Sequence, residues 1–138
     1  MRPGPGTYAL ILFCPRRVLI RIGKLGSHQL RRGYYVYVGS AVGPGGVRAR
    51  VAHHRRVSRR PHWHIDYLRP HARLERVRYT PGEVSREHHW ARRIRAFKGA
   101  SVPIAGFGCS DCRCATHLFF FASLPSLRGL KDSVTSRV

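Results

Sequence analysis

Acidic residues are scarce in this chain. Six Asp and Glu stand against 26 Lys and Arg, a formal net charge of +20 over 138 residues. Like charges at that density repel one another in the compact state, so the excess is expected to serve a polyanionic partner. Arg far outnumbers Lys, and a guanidinium fork matches two phosphate oxygens at once. Long apolar runs are also missing. One apolar run, Leu118 to Leu124, is broken by Ser123 and is far too short to cross a bilayer. Met1 to Gly6 is rich in Pro and Gly and lacks the apolar stretch of a signal peptide. We therefore expect a soluble, cytoplasmic, nucleoid-associated protein that binds DNA and not membranes. RNA stays open as a partner, because phosphate contacts are common to both. The chain is expected to act as a monomer or small homo-oligomer.

Cysteines are few. Cys14 stands alone, while Cys109, Cys112 and Cys114 cluster. Three close cysteines make no regular disulfide framework, so reduced thiols are expected. There is no internal repeat and no composition break marking a second domain. The length suits one domain, and apolar residues at 43% are enough to form a core, which argues against wholesale disorder.

Periodicity organises the rest. Thr7 to Phe13 is β-prone, Pro15-Arg16-Arg17 reads as a turn, and Val18 to Ile22 reads as its hairpin partner. Gly23 to Gly33 reads as a loop anchored by Leu30. Tyr34 to Ser40 is the clearest strand, with Tyr35 and Tyr37 on one face and Tyr34, Val36 and Val38 on the other. Gly43-Pro44-Gly45-Gly46 breaks the pattern, and helical spacing follows from Val47 to about Arg56. His62 to Leu68 is ambiguous. Leu74 to Tyr79 reads as a strand, and Ser85 to Phe97 as a helix capped by Ser85. Pro103 to Ala115 reads as a Gly- and Cys-rich loop, and His117 to Phe121 as a last strand or core segment. These readings predict a single α/β domain over residues 6–122. A small antiparallel sheet of Thr7–Phe13, Val18–Ile22 and Tyr34–Ser40 packs against helices, and residues 123–138 form a basic, flexible tail.

The chemistry-bearing residues recur in a set order. Gly6-Thr7-Tyr8 lies on one strand and Tyr37-Val38-Gly39 on a later one. Then come Val47-x-x-Arg50-x-x-x-His54 on a helix and Arg86-Glu87-His88-His89-Trp90 on another. Together these resemble the signature of the GIY-YIG nuclease superfamily, over roughly residues 6–121. Thr7 and Val38 stand where that signature usually has Ile. Tyr35 to Ala41, His62 to Leu68 and Gly106 to Cys112 resemble a small, uncharacterised prokaryotic subfamily, some of whose relatives are fused to endonuclease III-like glycosylases. The resemblance implies a GIY-YIG-like three-stranded sheet with flanking helices, and a metal-dependent endonuclease acting on DNA in repair or recombination. It implies Tyr8, Tyr37, Arg50, His54 and Glu87 as catalytic residues. Glu87 would be the ligand of one Mg²⁺ or Mn²⁺.

The residues support these roles on their own chemistry. Phosphodiester hydrolysis needs an activated water, charge neutralisation on the phosphoryl group and help for the leaving oxygen. A phenol beside a cation gives up its proton more readily, so Tyr8 or Tyr37 could orient or deprotonate the water. Arg50 offers a fork for phosphate oxygens, and His54, one helical turn on, shares its face. A hard cation needs oxygen ligands, and only Glu87, Asp66 and Asp111 are well placed among the acids. The basic run that includes Arg48, Arg55, Arg56, Arg59 and Arg60 reads as a phosphate track. For Cys109, Ser110, Asp111, Cys112, Cys114 and His117 the resemblance implies a substrate-sensing loop, while the ligand types themselves leave a structural Zn²⁺ site as the alternative. Two other function classes stay open: a non-catalytic nucleic-acid-binding module and a zinc-stabilised structural protein.

Overall fold

The computed structural model describes residues 4–43, 45–109, 114–130 and the backbone of 134–137. Two nine-residue strands, β1 (Gly6–Cys14) and β4 (Gly33–Ala41), pair antiparallel along their whole length, from Gly6 opposite Ala41 to Cys14 opposite Gly33. On its other edge β1 pairs antiparallel with β5 (Arg73–Pro81), with a bulge between Ile11 and Leu12. β6 (Leu118–Phe121) adds to β4, and β7 (Val134–Arg137) to β5, giving the order β6-β4-β1-β5-β7.

The expected hairpin partner of β1 lies elsewhere. β2 (Val18–Arg21) pairs only with β3 (Ser27–Leu30), in a separate two-stranded sheet. The reason is that β4 and β5 occupy both edges of β1, leaving no free backbone groups for a third neighbour. Leu30 is the buried anchor expected of that segment. The tail is also corrected. Leu127 and Leu130 are buried, and β7 continues the main sheet. The described part of this segment, residues 123–130 and β7, therefore packs with the rest of the fold.

Both faces of the sheet are covered, which explains the near-continuous apolar runs of its central strands. One core gathers Tyr8, Leu10 and Leu12 with Tyr35 and Tyr37. It is covered by α1 (Gly46–His54) and α2 (His64–Leu68), which supply Val47, Val51, Ile65 and Leu68. The ambiguous His62–Leu68 stretch thus contains a short helix. The opposite core gathers Ala9, Ile11, Val36, Val38, Phe119 and Phe121 under α3 (Glu87–Arg95), whose Trp90, Ala91 and Ile94 face it. The alternation expected for Tyr34 to Val38 holds. Among the described residues no helix is long and apolar enough to cross a membrane.

Two polar devices fix the helices that bear the site. Arg69 points its guanidinium at the end of α1, with Nε donating to the His54 carbonyl at 2.7 Å and Nη2 to that of Arg55 at 3.1 Å. A cation there satisfies carbonyls that lack helical partners. Asp66 does the same for the start of α2, its Oδ2 accepting the backbone N–H groups of His62 and Trp63 at 2.8 and 3.0 Å. Its Oδ1 meets His53 Nε2 on α1 at 2.9 Å. Burial alone would raise the Asp66 pKa, but these bonds outweigh it and hold the carboxyl below its usual value.

Candidate functional site

The register of β1 against β4 builds the site. Tyr8 lies opposite Gly39, and the Tyr8 ring passes directly over that glycine. A Cβ on Gly39 would sit 2.5 Å from the Tyr8 hydroxyl oxygen and 2.6 Å from Cζ. Gly39 is therefore a steric requirement of the Tyr8 position. We expect Gly39→Ala to destabilise the fold by about 2 kcal/mol through overpacking and to displace the Tyr8 ring. Denaturant unfolding together with near-ultraviolet circular dichroism checks this.

Tyr8, Tyr37, Arg50 and Glu87 line one cleft, together with Gly39, Ser40, Trp63, His88, Gly108 and His117. The two phenol rings are 6.4 Å apart. His54 lies beneath them, buried, with Nε2 at 2.9 Å from the Tyr8 oxygen. The five residues picked from the sequence thus converge, four on the cleft wall and His54 behind it.

The protonation states differ from expectation. Burial pushes the Tyr8 phenol well above its ordinary pKa, the neighbouring Tyr37 adds to this, and the Arg50 guanidinium only partly opposes them. Burial likewise raises Tyr37, with the Glu87 charge adding to it. Both phenols are therefore neutral at physiological pH in the free protein. They act as hydrogen-bonding groups that orient what enters the cleft, and neither is a ready phenolate base. His54 is pulled down to about 3, again mainly by burial, so it is neutral as well. Its Nδ1 is buried with no hydrogen-bond partner. A bare lone pair there costs less than an orphaned N–H, which favours the tautomer protonated on Nε2. That ring donates to the Tyr8 oxygen and leaves the Tyr8 O–H to point its proton elsewhere.

Arg50 is set by a residue that sequence reasoning did not single out. Its Cζ lies 4.3 Å from the centroid of Trp63. Stacking on an indole holds a guanidinium by its face while its N–H edge stays available. Trp63 carries no local signal of this role, since α1 and α2 meet only in the folded chain.

Glu87 opens α3. Ser85 Oγ accepts the Glu87 N–H at 3.3 Å, although the cap position falls on Arg86, one residue beyond the expected cap, and the helix itself starts at Glu87. Thr7 supplies a second tether, its hydroxyl accepting the Arg86 N–H at 2.8 Å. This gives Thr7 a structural role: it ties the start of α3 to β1. Thr7→Val keeps the β-branch and loses the acceptor. We expect a loss of about 1 kcal/mol in stability, measured by urea unfolding.

The Glu87 carboxylate faces two partners that the sequence did not reveal. Ser40 Oγ donates to Oε2 at 3.1 Å, and His117 Nδ1 lies 2.9 Å from Oε1. Burial alone would raise the Glu87 pKa, but His117 first and Ser40 next outweigh it, so the group is held below its usual value and is charged. A single charged carboxylate at the wall of an open cleft fits a hard divalent cation, which takes one or two carboxylates and fills its other positions with water and phosphate. Asp66, the other described candidate ligand, is instead committed to the start of α2 and to His53.

The loop residues divide. Ser110, Asp111 and Cys112 lie outside the described residues. Cys109 donates to the Phe107 carbonyl at 3.5 Å, and Cys114 Sγ lies 3.2 Å from His88 Nδ1. Gly108 donates its N–H to His64 Nδ1 at 2.8 Å, which docks the loop on α2. Arg48, Arg55, Arg56, Arg59 and Arg60 are all exposed, on α1 and the connection that follows it.

One family model, described as Domain of unknown function DUF123, matches residues 7–138. No curated protein and no solved structure matches the chain.

Proposed function

We propose that this chain, which belongs to the DUF123 family, hydrolyses DNA phosphodiester bonds as a divalent-metal-dependent endonuclease of the GIY-YIG type. The observation that carries the proposal is the convergence of Tyr8, Tyr37, Arg50 and Glu87 on one cleft in a chain of net charge +20. A divalent ion at Glu87 would lower the pKa of bound water and neutralise developing phosphoryl charge. The residues of the chain do the rest. Arg50, held on Trp63, forks two non-bridging phosphate oxygens. Tyr8 and Tyr37 present neutral hydroxyls that align the attacking water and the phosphate, at no reorganisation cost in a site already packed. Neutral His54 holds the Tyr8 oxygen in place. Ser40 and His117 hold the Glu87 carboxylate.

The exposed arginines on α1 and beyond extend the cationic surface from the helix that carries Arg50. They contact phosphate and not base edges in this reading, so they position DNA without reading sequence. That suits a branched, nicked or damaged DNA substrate, as in repair or recombination, better than a fixed recognition sequence. Replacing both Arg59 and Arg60 with Gln is expected to weaken DNA binding uniformly across sequences. It should lower the slope of log affinity against log salt by about 2, read from binding titrations at several salt concentrations.

The deciding experiment is a cleavage screen on duplex, nicked, flapped, branched and abasic DNA and matched RNAs, with and without Mg²⁺ or Mn²⁺. Metal-stimulated cutting of at least one DNA supports the proposal. Tight binding with no cutting on any of them overturns it in favour of a non-catalytic nucleic-acid-binding module.

A further inference from the structure

The wall of the cleft beyond Glu87 carries a second group of ligands of different chemistry. His88, the second residue of α3, meets Cys114 and His117, which lead into β6. Each offers one ligand atom, and the three atoms lie within 4.8 Å of one another. His88 Nδ1 is 3.2 Å from Cys114 Sγ, and the two imidazole rings are 5.6 Å apart and near perpendicular. Cys114 is a reduced thiol.

We propose that His88, Cys114 and His117 bind one zinc-like transition-metal ion, separate from the hard cation assigned to Glu87. The donor set decides the metal class. Two imidazoles and a thiolate select a borderline-soft ion such as Zn²⁺ over Mg²⁺. Around tetrahedral zinc, with bonds of about 2.0–2.3 Å, ligand atoms lie roughly 3.5 Å apart. The observed spacing closes to that by a side-chain movement that exposed His88 is free to make.

The third ligand is already fixed. His117 is 1% exposed, its N–H donates to the Phe107 carbonyl at 2.8 Å, and its carbonyl accepts from Val38 N–H at 2.9 Å. The adjoining Thr116 hydroxyl donates to the Ile104 carbonyl at 3.0 Å and accepts the Leu118 N–H. A rigid imidazole, a half-buried thiol and an adjustable surface imidazole form a site that needs little ordering on binding. Three protein ligands leave a fourth position for water, and both histidines line the cleft. The ion would pin the first turn of α3 to the chain entering β6 and so hold His117 against Glu87. This differs from a zinc site within the Cys-rich loop alone, because His88 comes from a helix 26 residues away from Cys114 and Cys109 takes no part.

The test is Co²⁺ titration of the full-length protein, followed by optical absorption and Zn²⁺ competition. Its readout is independent of DNA cleavage, so a failed nuclease reading leaves it intact. We expect one equivalent of Co²⁺ with a thiolate-to-metal charge-transfer band, displaced by Zn²⁺. Cys114→Ser should abolish the band. His88→Ala, at an exposed position that leaves the fold unchanged by circular dichroism, should lower affinity at least tenfold. Cys109→Ser should behave as the parent protein. Absence of saturable Co²⁺ and Zn²⁺ binding overturns the proposal. So does unchanged affinity in His88→Ala, or loss of the band in Cys109→Ser.

Discussion

Glu87→Gln is expected to lower metal-stimulated DNA cleavage by on the order of 10³-fold while DNA affinity stays within a few-fold of the parent. The size follows from what the substitution removes. Glu87 is the only described carboxylate on the cleft wall, so an ion bound there loses its one charged protein ligand, and such terms contribute several kcal/mol to phosphoryl-transfer transition states. Gln keeps the shape and an oxygen that can still accept from Ser40, now 3.1 Å from Oε2. The start of α3, held by Thr7 and Ser85 through backbone N–H groups, is untouched. Binding survives because the arginines that supply it lie elsewhere, and removing a negative charge from the cleft does not weaken attraction for phosphate. Single-turnover cleavage and a binding titration on the same substrate check both halves. Equal loss of cutting and binding would show Glu87 to be a structural residue. Unchanged cutting would remove it from the site.

The second large effect is on stability in acid. The folded state holds His54 neutral, with its pKa pulled from 6.5 to about 3 by burial, helped by the neighbouring His53 charge. The unfolded chain returns it to about 6.5. The unfolded state therefore binds more protons in this window, and stability falls as pH falls. His54 contributes its full share above about pH 6.5. That share is lost at about 1.4 kcal/mol per pH unit as pH drops toward 3, or roughly 2 kcal/mol between pH 6.5 and 5. Urea unfolding at a series of pH values reads this slope directly. His54→Gln removes the more deeply buried titrating group, and its stability should fall with a clearly shallower slope across the same interval, the remainder coming from His64, whose pKa burial also lowers, whatever the variant's stability at pH 7. Asp66 and Glu87, both held below their ordinary carboxylate values, contribute only further down. Their stabilisation is present above the unfolded carboxylate pKa of about 4 and is lost as pH falls through the folded one.

Local pattern made a good part of the molecule legible. β1, β4 and α1 lie where alternation and helical spacing put them, because the chain carries those periods locally. α3 was found for the same reason, and only its ends shifted by two residues. The five candidate catalytic positions were legible because their order along the chain resembles a known signature. Partners brought by distant segments left no such trace. Val18–Arg21 is β-prone, but whether it joins β1 depends on whether β1 has a free edge, and residues 73–81 had already taken it. The segment after residue 122 is polar by composition, and among its described residues the buried ones are Leu127 and Leu130.

The residues by themselves determined a cationic α/β chain with a strand-borne pair of tyrosines, a helix-borne Arg and His, and a lone Glu. Those follow from composition and short-range spacing, which need no folded partner. Folding alone decided the electrostatics of the site: neutral phenols, a neutral His54, and a charged Glu87 between Ser40 and His117. Ionisation depends on burial and on neighbours brought together across 30 to 47 residues of chain, and no local window of sequence contains either.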